Sequence, residues 1–378
     1  MHFPRIIIGA THSGTGKTTI TSGIILALRD RSLSVQPYKV GPDYIDPGFH
    51  TLAAGRECRN LDTVMMGEEG VHTSFCYASA NADISVIEGA MGLYDGFSSD
   101  TVPRFFGSTA HVAKVLQTPV VLCIDASAMS ASAAAVALGF QQLDPEVPIA
   151  GFILNNVAGE RHYTMIKEPV EAATKLPVFG YLPKNNKLSM PERHLGLVPA
   201  WEGGVLPESS EQLRRTVSEY IDIEKLLETA ENAPELSPGV TENDKKLPLN
   251  KKSLKTDRVK IGYAFDEAFH FYYQDNLDIL KGFGAELVPF SPVRDEALPP
   301  GIRGVYIGGG YPEMFGKQLE TNTAMRESVF HAASDGLPMY AECGGLMYLM
   351  ERIIYFDGTE YTMAGVFTGA VKMEKKLA

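Results

Sequence analysis

Short apolar runs alternate with helical stretches along the first half of the chain. The runs are rich in Ile and Val and predict strands at 5–8, 34–39, 84–88, 120–124, 149–155 and 177–181. The intervening stretches are long enough for helices, as at 20–28 directly after the first run. Strands that alternate with helices in this way predict a doubly wound parallel sheet, covered by helices on both faces.

A change of composition separates this region from the rest of the chain. Residues 231–257 are rich in Glu, Asn, Pro and Lys and lack apolar periodicity, which is typical of an interdomain linker. After them the pattern predicts strands at 259–265, 286–290, 304–307 and 339–342, with a helix at 275–281. We therefore expect two α/β domains, at 1–230 and 258–378.

The overall composition limits the cellular compartment and the classes of partner that we expect. The chain has 378 residues, 44% of them hydrophobic, and its longest apolar runs are too short to span a bilayer. No secretory signal precedes the first strand, so we expect a cytoplasmic protein that does not use a membrane. A net charge of −12 leaves no basic stripe for a phosphate backbone, so we expect no nucleic-acid partner.

The cysteines are widely spaced and form no CxxC pair, which disfavours both a disulfide framework and a structural zinc site. We expect four free thiols, at Cys58, Cys76, Cys123 and Cys343.

A glycine-rich segment, GATHSGTGKTT at 9–19, joins the first predicted strand to the first predicted helix. Strand, glycine turn, Lys-Thr and helix are the context of a phosphate-binding P-loop, whose backbone N–H groups surround phosphate oxygens. The loop is a variant, because Thr11 stands where the pattern has its first glycine. Lys17 would reach the β- and γ-phosphates of ATP. The candidate nucleotide-binding residues are Gly14, Thr15, Gly16, Lys17, Thr18 and Thr19.

Acidic residues follow the second and third predicted strands, at the sheet edge where the P-loop lies. Forming an amide from a carboxylate requires activation, and transfer of the ATP γ-phosphate to give an acyl phosphate would supply it. Acidic side chains and Mg²⁺ suit this chemistry. The catalytic candidates are Asp43, Asp46, Glu88 and Asp95, and the candidate Mg²⁺ ligands are Thr18, Asp46 and Glu88.

A second chemical motif lies near the end of the chain. The segment 338–350 predicts a strand that turns sharply into a helix at Cys343, the arrangement of a nucleophile elbow. The partial positive charge of a helix N-terminus favours the reactive thiolate. The backbone N–H groups of Gly309, Gly310 and Gly344 are candidates for stabilising a tetrahedral oxyanion.

Taken together, six segments resemble the cobyrinate a,c-diamide synthases, in order and over essentially the whole chain. They are 9–19, 39–46, 88–96, 191–197, 308–313 and 341–345. The resemblance implies a dethiobiotin-synthetase-like P-loop domain followed by a class I glutamine-amidotransferase-like domain. It also implies that ATP phosphorylates the a and c carboxylates of cobyrinate, and that ammonia from L-glutamine displaces the phosphate.

The same resemblance makes Tyr44 and Arg193 candidate substrate residues, since an Arg193 guanidinium would pair with an acetate or propionate of the macrocycle. Substrate identity stays open at this point. Ni-sirohydrochlorin is the alternative tetrapyrrole, and amidation of other corrinoid side chains, as in cobyric acid synthases, is a close relative. A non-catalytic P-loop switch is a more distant alternative, but such proteins carry a lysine early in the loop, where this chain has His12.

One expected element is not found in the sequence. Class I glutaminases use a histidine base downstream of the cysteine, yet no histidine follows His331, which we interpret as a surface residue. We therefore expect an incomplete glutaminase domain in which this polypeptide alone hydrolyses glutamine poorly and still amidates with free ammonia. A truncated chain, completion by a second chain and a homo-oligomer stay open.

Overall fold

The computed structural model describes residues 2–99, 101–184, 192–193, 196–197, 207–236 and 258–374. The chain divides into two units, Met1–Lys246 and Leu247–Ala378. The predicted linker at 231–257 is described only as far as Leu236, which is buried. At this end of the first unit the carbonyl of Pro234 accepts a hydrogen bond of 2.7 Å from Arg5, so the first residues after 230 pack on the first unit.

The strands of the first unit are β1 Arg5–Ala10, β2 Val35–Val40, β3 Arg59–Leu61, β4 Ile84–Glu88, β5 Phe97–Ser99, β6 Val102–Phe106, β7 Val120–Asp125, β8 Ile149–Val157, β9 Val178–Pro183, β10 Glu192–Arg193 and β11 Gly196–Leu197. Seven of them form a sheet of order β3-β2-β4-β1-β7-β8-β9 in which every pair is parallel, and β10 and β11 are the last two of the unit. The last two form a short hairpin, as do β5 and β6.

Helices cover both faces of this sheet because alternate residues of each buried strand point to opposite sides. Ile6 and Ile8 pack in one core cluster with Ile24 of α1, whereas Ile7 packs in another with Val112 of the fourth helix. The helices are α1 Lys17–Asp30, α2 Asp46–Ala54, α3 Gly67–Ser79, α4 Thr109–Val115, α5 Ser132–Leu143, α6 Glu160–Thr174, α7 Pro207–Tyr220 and α8 Ile223–Glu231.

The second unit contains a parallel four-stranded sheet of order β14-β12-β15-β17 and a smaller sheet of order β19-β18-β20. Its strands are β12 Val259–Ala264, β13 Phe269–Phe271, β14 Ala285–Phe290, β15 Gly304–Ile307, β16 Gly309–Gly310, β17 Met339–Ala341, β18 Met350–Ile354, β19 Glu360–Thr362 and β20 Phe367–Lys372. Its helices are α9 Gln274–Gly282, a 3-10 turn Pro312–Phe315, α10 Gly316–Thr321, α11 Thr323–Ser334 and α12 Gly344–Leu349.

Every strand predicted from the apolar pattern is present, so the α/β prediction is confirmed for both units. The pattern missed β3 Arg59–Leu61, because three residues that include Arg and Asn carry no apolar signal. It also missed the β18–β20 sheet, whose residues are partly exposed and so less apolar. The four cysteines are free thiols, as predicted.

Candidate active sites

The P-loop spans Thr11 to Gly16, between β1 and α1, and two of its glycines have positive φ angles. Gly14 has φ +79° and Gly16 has φ +89°, conformations that cost other residues free energy. A Cβ at position 16 would also lie 2.4 Å from Nδ2 of Asn155. Asn155 lies near the end of β8 and donates a 2.7 Å hydrogen bond to the carbonyl of Thr15. The loop is therefore held in shape by the sheet.

Lys17 and Thr18 begin α1 and face the loop after β4. The Lys17 ammonium donates to the carbonyl of Met91 at 2.7 Å, and its burial lowers its pKa while the charge of Glu88 opposes that shift. The Thr18 hydroxyl donates to Oε1 of Glu88 at 2.9 Å. Of the other predicted nucleotide-binding residues, Thr15 is buried and Thr19 is half-buried.

Four charged or polar side chains meet behind the P-loop, and we call Lys39, Asp46, His50 and Glu88 the buried ionic cluster. Lys39 ends β2 and donates to Oε1 of Glu88 at 2.9 Å and to Asp46. His50 donates through Nε2 to Oε2 of Glu88. Glu88 and His50 are 0% exposed and Lys39 is 3% exposed, so these ion pairs are shielded from water.

Burial and charge oppose each other in this cluster. Burial would raise the pKa of Glu88, yet Lys39 and His50 outweigh it and hold that pKa well below its usual range. Burial, together with the negative charge of Glu88, raises the pKa of Asp46 to about 7. Burial disfavours a charged Lys39, but Glu88 and Asp46 hold its pKa above the ordinary value. Glu88 and Asp46 thus share the Lys39 ammonium group, and Glu88 is the one whose pKa is held low.

The other predicted residues of this region, Asp43, Tyr44 and Asp95, have different settings. The Asp43 carboxylate accepts from the N–H groups of Ile45 and Asp46 at the start of α2, and it lies 3.6 Å from Nζ of Lys39. Tyr44 follows it and is half-buried. Asp95 is exposed and accepts a 2.8 Å hydrogen bond from the N–H of Gly92. Asp43 thus has both a helix-capping contact and a place beside Lys39.

The prediction for Arg193 concerns a side chain outside the described residues. The backbone of Arg193 lies in β10 and pairs with Gly196 of β11.

Sequence reasoning missed Lys39, His50 and Asn155 as site residues. Lys39 could have been found, since a lysine in a predicted strand of a two-sided sheet must be paired if it is buried. His50 lies four residues after Asp46 on α2, a spacing that places both on one helix face. Asn155 gave no comparable signal, because its partner Thr15 is distant in the sequence.

The raised pKa of Asp46 predicts a pH dependence of stability. Its folded pKa of about 7 lies above the ordinary value of 3.8 that an unfolded chain has, so the folded state binds the proton more tightly. This contribution to stability is fully present below the ordinary pKa of 3.8, decreases above it and is lost as the pH rises through about 7. Asp46→Asn cannot ionise, so its free energy of unfolding relative to wild type should increase by roughly 1–3 kcal/mol between about pH 5 and about pH 8.

Urea denaturation of both proteins at the two pH values measures this change. Asp83→Asn, at an exposed carboxylate before β4, is the matched control and should follow the wild type. Parallel profiles for Asp46→Asn and wild type would contradict the assignment.

The second unit places Cys343 at the sharp turn between β17 and α12. Cys343 is exposed and has φ +50° and ψ −116°, a strained conformation for a residue with a side chain. The turn is tight, since a Cβ at Gly345 would lie 2.2 Å from the carbonyl oxygen of Ile307. The predicted strand–cysteine–helix geometry is present.

The glycines predicted to stabilise an oxyanion lie beside this turn. A Cβ at Gly309 would lie 3.4 Å from Cβ of Cys343, and one at Gly344 would lie 3.1 Å from the backbone nitrogen of Gly310. Gly310 has φ +152° and packs so closely that a Cβ would lie 2.0 Å from the carbonyl oxygen of Ala268. A side chain at Gly310 or Gly344 would therefore crowd the backbone beside the cysteine turn.

Glu342 and His331 are the acidic and histidine side chains of interest in this unit. Glu342 precedes the cysteine and accepts hydrogen bonds from the hydroxyls of Tyr306, at 2.6 Å, and Tyr340, at 3.2 Å. His331 is exposed in the last turn of α11, so its interpretation as a surface residue is confirmed.

No group of three or more His, Cys, Asp and Glu side chains among the described residues is arranged to hold a metal ion on its own. Across the same parts of the chain, every helix is too short or too polar to cross a bilayer.

Nucleotide phosphates suit the loop of the first unit, and an amide carbonyl suits the cysteine turn of the second. A chain that combines these two geometries is an ATP-dependent ligase of the glutamine amidotransferase type. Comparison with known proteins agrees. The family described as "CobQ/CobB/MinD/ParA nucleotide binding domain" matches residues 6–198, and the "CobB/CobQ-like glutamine amidotransferase domain" matches residues 260–378.

Individual relatives narrow the class further. The chain is 47% identical over 378 residues to the cobyrinate a,c-diamide synthase of Dehalococcoides mccartyi strain CBDB1, covering 100% of this chain and 80% of that protein. It is 46% identical over 371 residues to that of Caldanaerobacter subterraneus subsp. tengcongensis, with 98% and 79% covered. The protein of the same name from Methanosarcina acetivorans is 46% identical over 361 residues, with 93% and 71% covered. The chain belongs to the cobyrinate a,c-diamide synthase family.

Proposed function

We propose that this protein converts the a and c side-chain carboxylates of cobyrinate to carboxamides, using ATP and glutamine. The observation that carries the proposal is the P-loop, with Lys17 and Thr18 facing Glu88 of the buried ionic cluster. The names and high identity of its relatives support the choice of substrate. The second unit provides a cysteine turn suited to release of ammonia from glutamine.

In the first half-reaction a substrate carboxylate oxygen attacks the γ-phosphorus of ATP, and the bond to the ADP oxygen breaks. Lys17 stabilises the charge on the transferring phosphoryl group. Ammonia then attacks the acyl carbon of the acyl phosphate, inorganic phosphate leaves and the amide nitrogen loses a proton. Asp43 and Asp46, beside Lys39, are the groups that we assign to accepting hydrogen bonds from the attacking ammonia.

The donor set around Thr18 fits Mg²⁺. A hydroxyl that donates its proton to Glu88 keeps its lone pairs for a cation, and Mg²⁺ in phosphate-transfer sites takes most ligands from phosphate and water. Thr18 would hold the ion, with Asp46 close by, and the ion would neutralise phosphate charge. Both oxygens of Glu88 accept hydrogen bonds from Thr18, Lys39 or His50, so we place Glu88 behind Thr18 and not in direct contact with the metal.

For the second unit we propose that Sγ of Cys343 attacks the amide carbon of glutamine. The carbonyl oxygen becomes an oxyanion that accepts hydrogen bonds from backbone N–H groups among Gly309, Gly310 and Gly344. Ammonia leaves, and water hydrolyses the resulting thioester to glutamate.

Mass spectrometry of the products tests the proposal. Cobyrinate and Ni-sirohydrochlorin are each incubated with the protein and ATP–Mg²⁺, with either glutamine or an ammonium salt as nitrogen source. We expect two carboxylates of cobyrinate to become carboxamides and ADP to form in step with them. Diamidation of Ni-sirohydrochlorin alone would assign the other tetrapyrrole, and ADP release without any amide product would contradict a ligase.

A further inference from the structure

His50 has no part in the chemistry proposed above, although it belongs to the buried ionic cluster and contacts Glu88. Its ring is 0% exposed and lies between α1 and β4. Nε2–H donates to Oε2 of Glu88, and Nδ1 lies 3.2 Å from the hydroxyl oxygen of Ser22, which is 2% exposed. A histidine with a partner on each ring nitrogen is held in one orientation.

His50 takes part in two closed circuits, each made of hydrogen bonds and one turn of a helix. Both circuits include the hydrogen bond from His50 to Glu88. Thr18 and Ser22 are four residues apart on α1, so the first circuit runs from Thr18 to Glu88, His50 and Ser22 and back along the helix. Asp46 and His50 are four residues apart on α2, so the second circuit runs through Lys39 and Glu88. Removing His50 opens both circuits.

We propose that His50 is the positioning residue of the phosphate site. By holding Oε2 of Glu88, it keeps Oε1 against the Thr18 hydroxyl and the Lys39 ammonium, which orients Thr18 toward the metal–nucleotide complex. The inference rests on the proposed assignment of this loop to ATP.

The physical reason is that a carboxylate has two equivalent oxygens and can rotate about its last bond. Without a donor at Oε2, the buried charge of Glu88 is left partly unsatisfied, and such groups rearrange to recover hydrogen bonds. Lys39 is the strongest nearby donor, at 2.9 Å. A Glu88 that turns toward Lys39 with both oxygens releases the hydroxyl of Thr18.

The test measures ATP binding to the full chain by calorimetry, with and without Mg²⁺. In wild type Mg²⁺ should strengthen ATP binding. His50→Phe keeps an aromatic ring but has no donor, and it should reduce this Mg²⁺-dependent gain about tenfold, as expected for one lost hydrogen bond to a charged group. Its Mg²⁺-free ATP affinity should change little. His50→Gln retains a side-chain N–H donor and should restore most of the gain.

Ser22→Ala and Thr21→Val form a matched pair on α1. Ser22→Ala removes the partner of Nδ1 and should reduce the Mg²⁺-dependent gain about threefold. Among the described residues the Thr21 hydroxyl is buried without a hydrogen-bond partner, so Thr21→Val should bind as wild type does.

Equal Mg²⁺-dependent gains in His50→Phe and wild type would overturn the inference. If His50→Phe does not fold, equal gains in Ser22→Ala and Thr21→Val would overturn it instead. Failure of wild type to bind ATP at all would contradict the proposed function itself, so the two failures are distinguishable.

Discussion

Lys17→Met should abolish amidation of cobyrinate, whether the nitrogen comes from glutamine or from ammonium. Lys17 is the loop lysine of the P-loop and lies within reach of Met91 and the charge of Glu88. Loss of its charge removes stabilisation of the transferring phosphoryl group, so we expect kcat/KM for ATP to fall by at least about a hundredfold. The measurement is ADP release and amide formation with saturating ammonium.

This substitution separates catalysis from folding. Methionine keeps the apolar stem of the lysine, and burial already lowers the pKa of Lys17, so removing its charge should not lower the free energy of unfolding. Lys225→Ala, at an exposed position on α8, is the control and should retain wild-type rates. Amidation by Lys17→Met at a wild-type rate would show that another group stabilises the phosphate.

Cys343→Ser should abolish hydrolysis of glutamine and leave ammonium-dependent amidation unchanged. Serine keeps the shape of the turn, but its hydroxyl is a far weaker nucleophile than a thiolate. Wild-type glutamate formation is itself expected to be slow, and in the variant it should fall to the level of a reaction without protein, because the nucleophile is lost. Glutamate release and product amidation with each nitrogen source are measured on the same preparation.

Cys76→Ala is the control for loss of a thiol, because Cys76 is half-buried on α3 of the other unit. It should behave as wild type with both nitrogen sources, apart from a small loss of stability. Glutamate release by Cys343→Ser at the level of the Cys76→Ala control would exclude the cysteine turn as the glutaminase site. Loss of ammonium-dependent amidation in Cys343→Ser would contradict the independence of the two chemistries.

Features built from adjacent residues were predictable from the sequence. The P-loop needs a strand, positive φ angles at Gly14 and Gly16, and a helix that begins at Lys17, all within one short segment. The turn at Cys343 is likewise local, with a short strand on one side and Gly344 on the other. Apolar runs also sufficed for the strands, because buried parallel strands are apolar along their whole length.

The buried ionic cluster could not be derived in this way. Glu88 meets His50 across 38 residues and Lys39 across 49, and Asn155 reaches Thr15 across 140. These contacts depend on the strand order β2-β4-β1-β7-β8 and on how closely α1 and α2 pack. Apolar patterns determine that a strand is buried, but not which strand lies beside it.

The sequence alone was thus enough for the two chemistries, because a phosphate loop and a cysteine turn each depend on local backbone geometry. Only the folded structure showed which charged side chains surround the phosphate loop. Lys39 and His50 hold the pKa of Glu88 low, whereas burial of Asp46 and the negative charge of Glu88 raise the pKa of Asp46 to about 7. Such electrostatic effects grow only when folding removes water from groups that are distant in the chain.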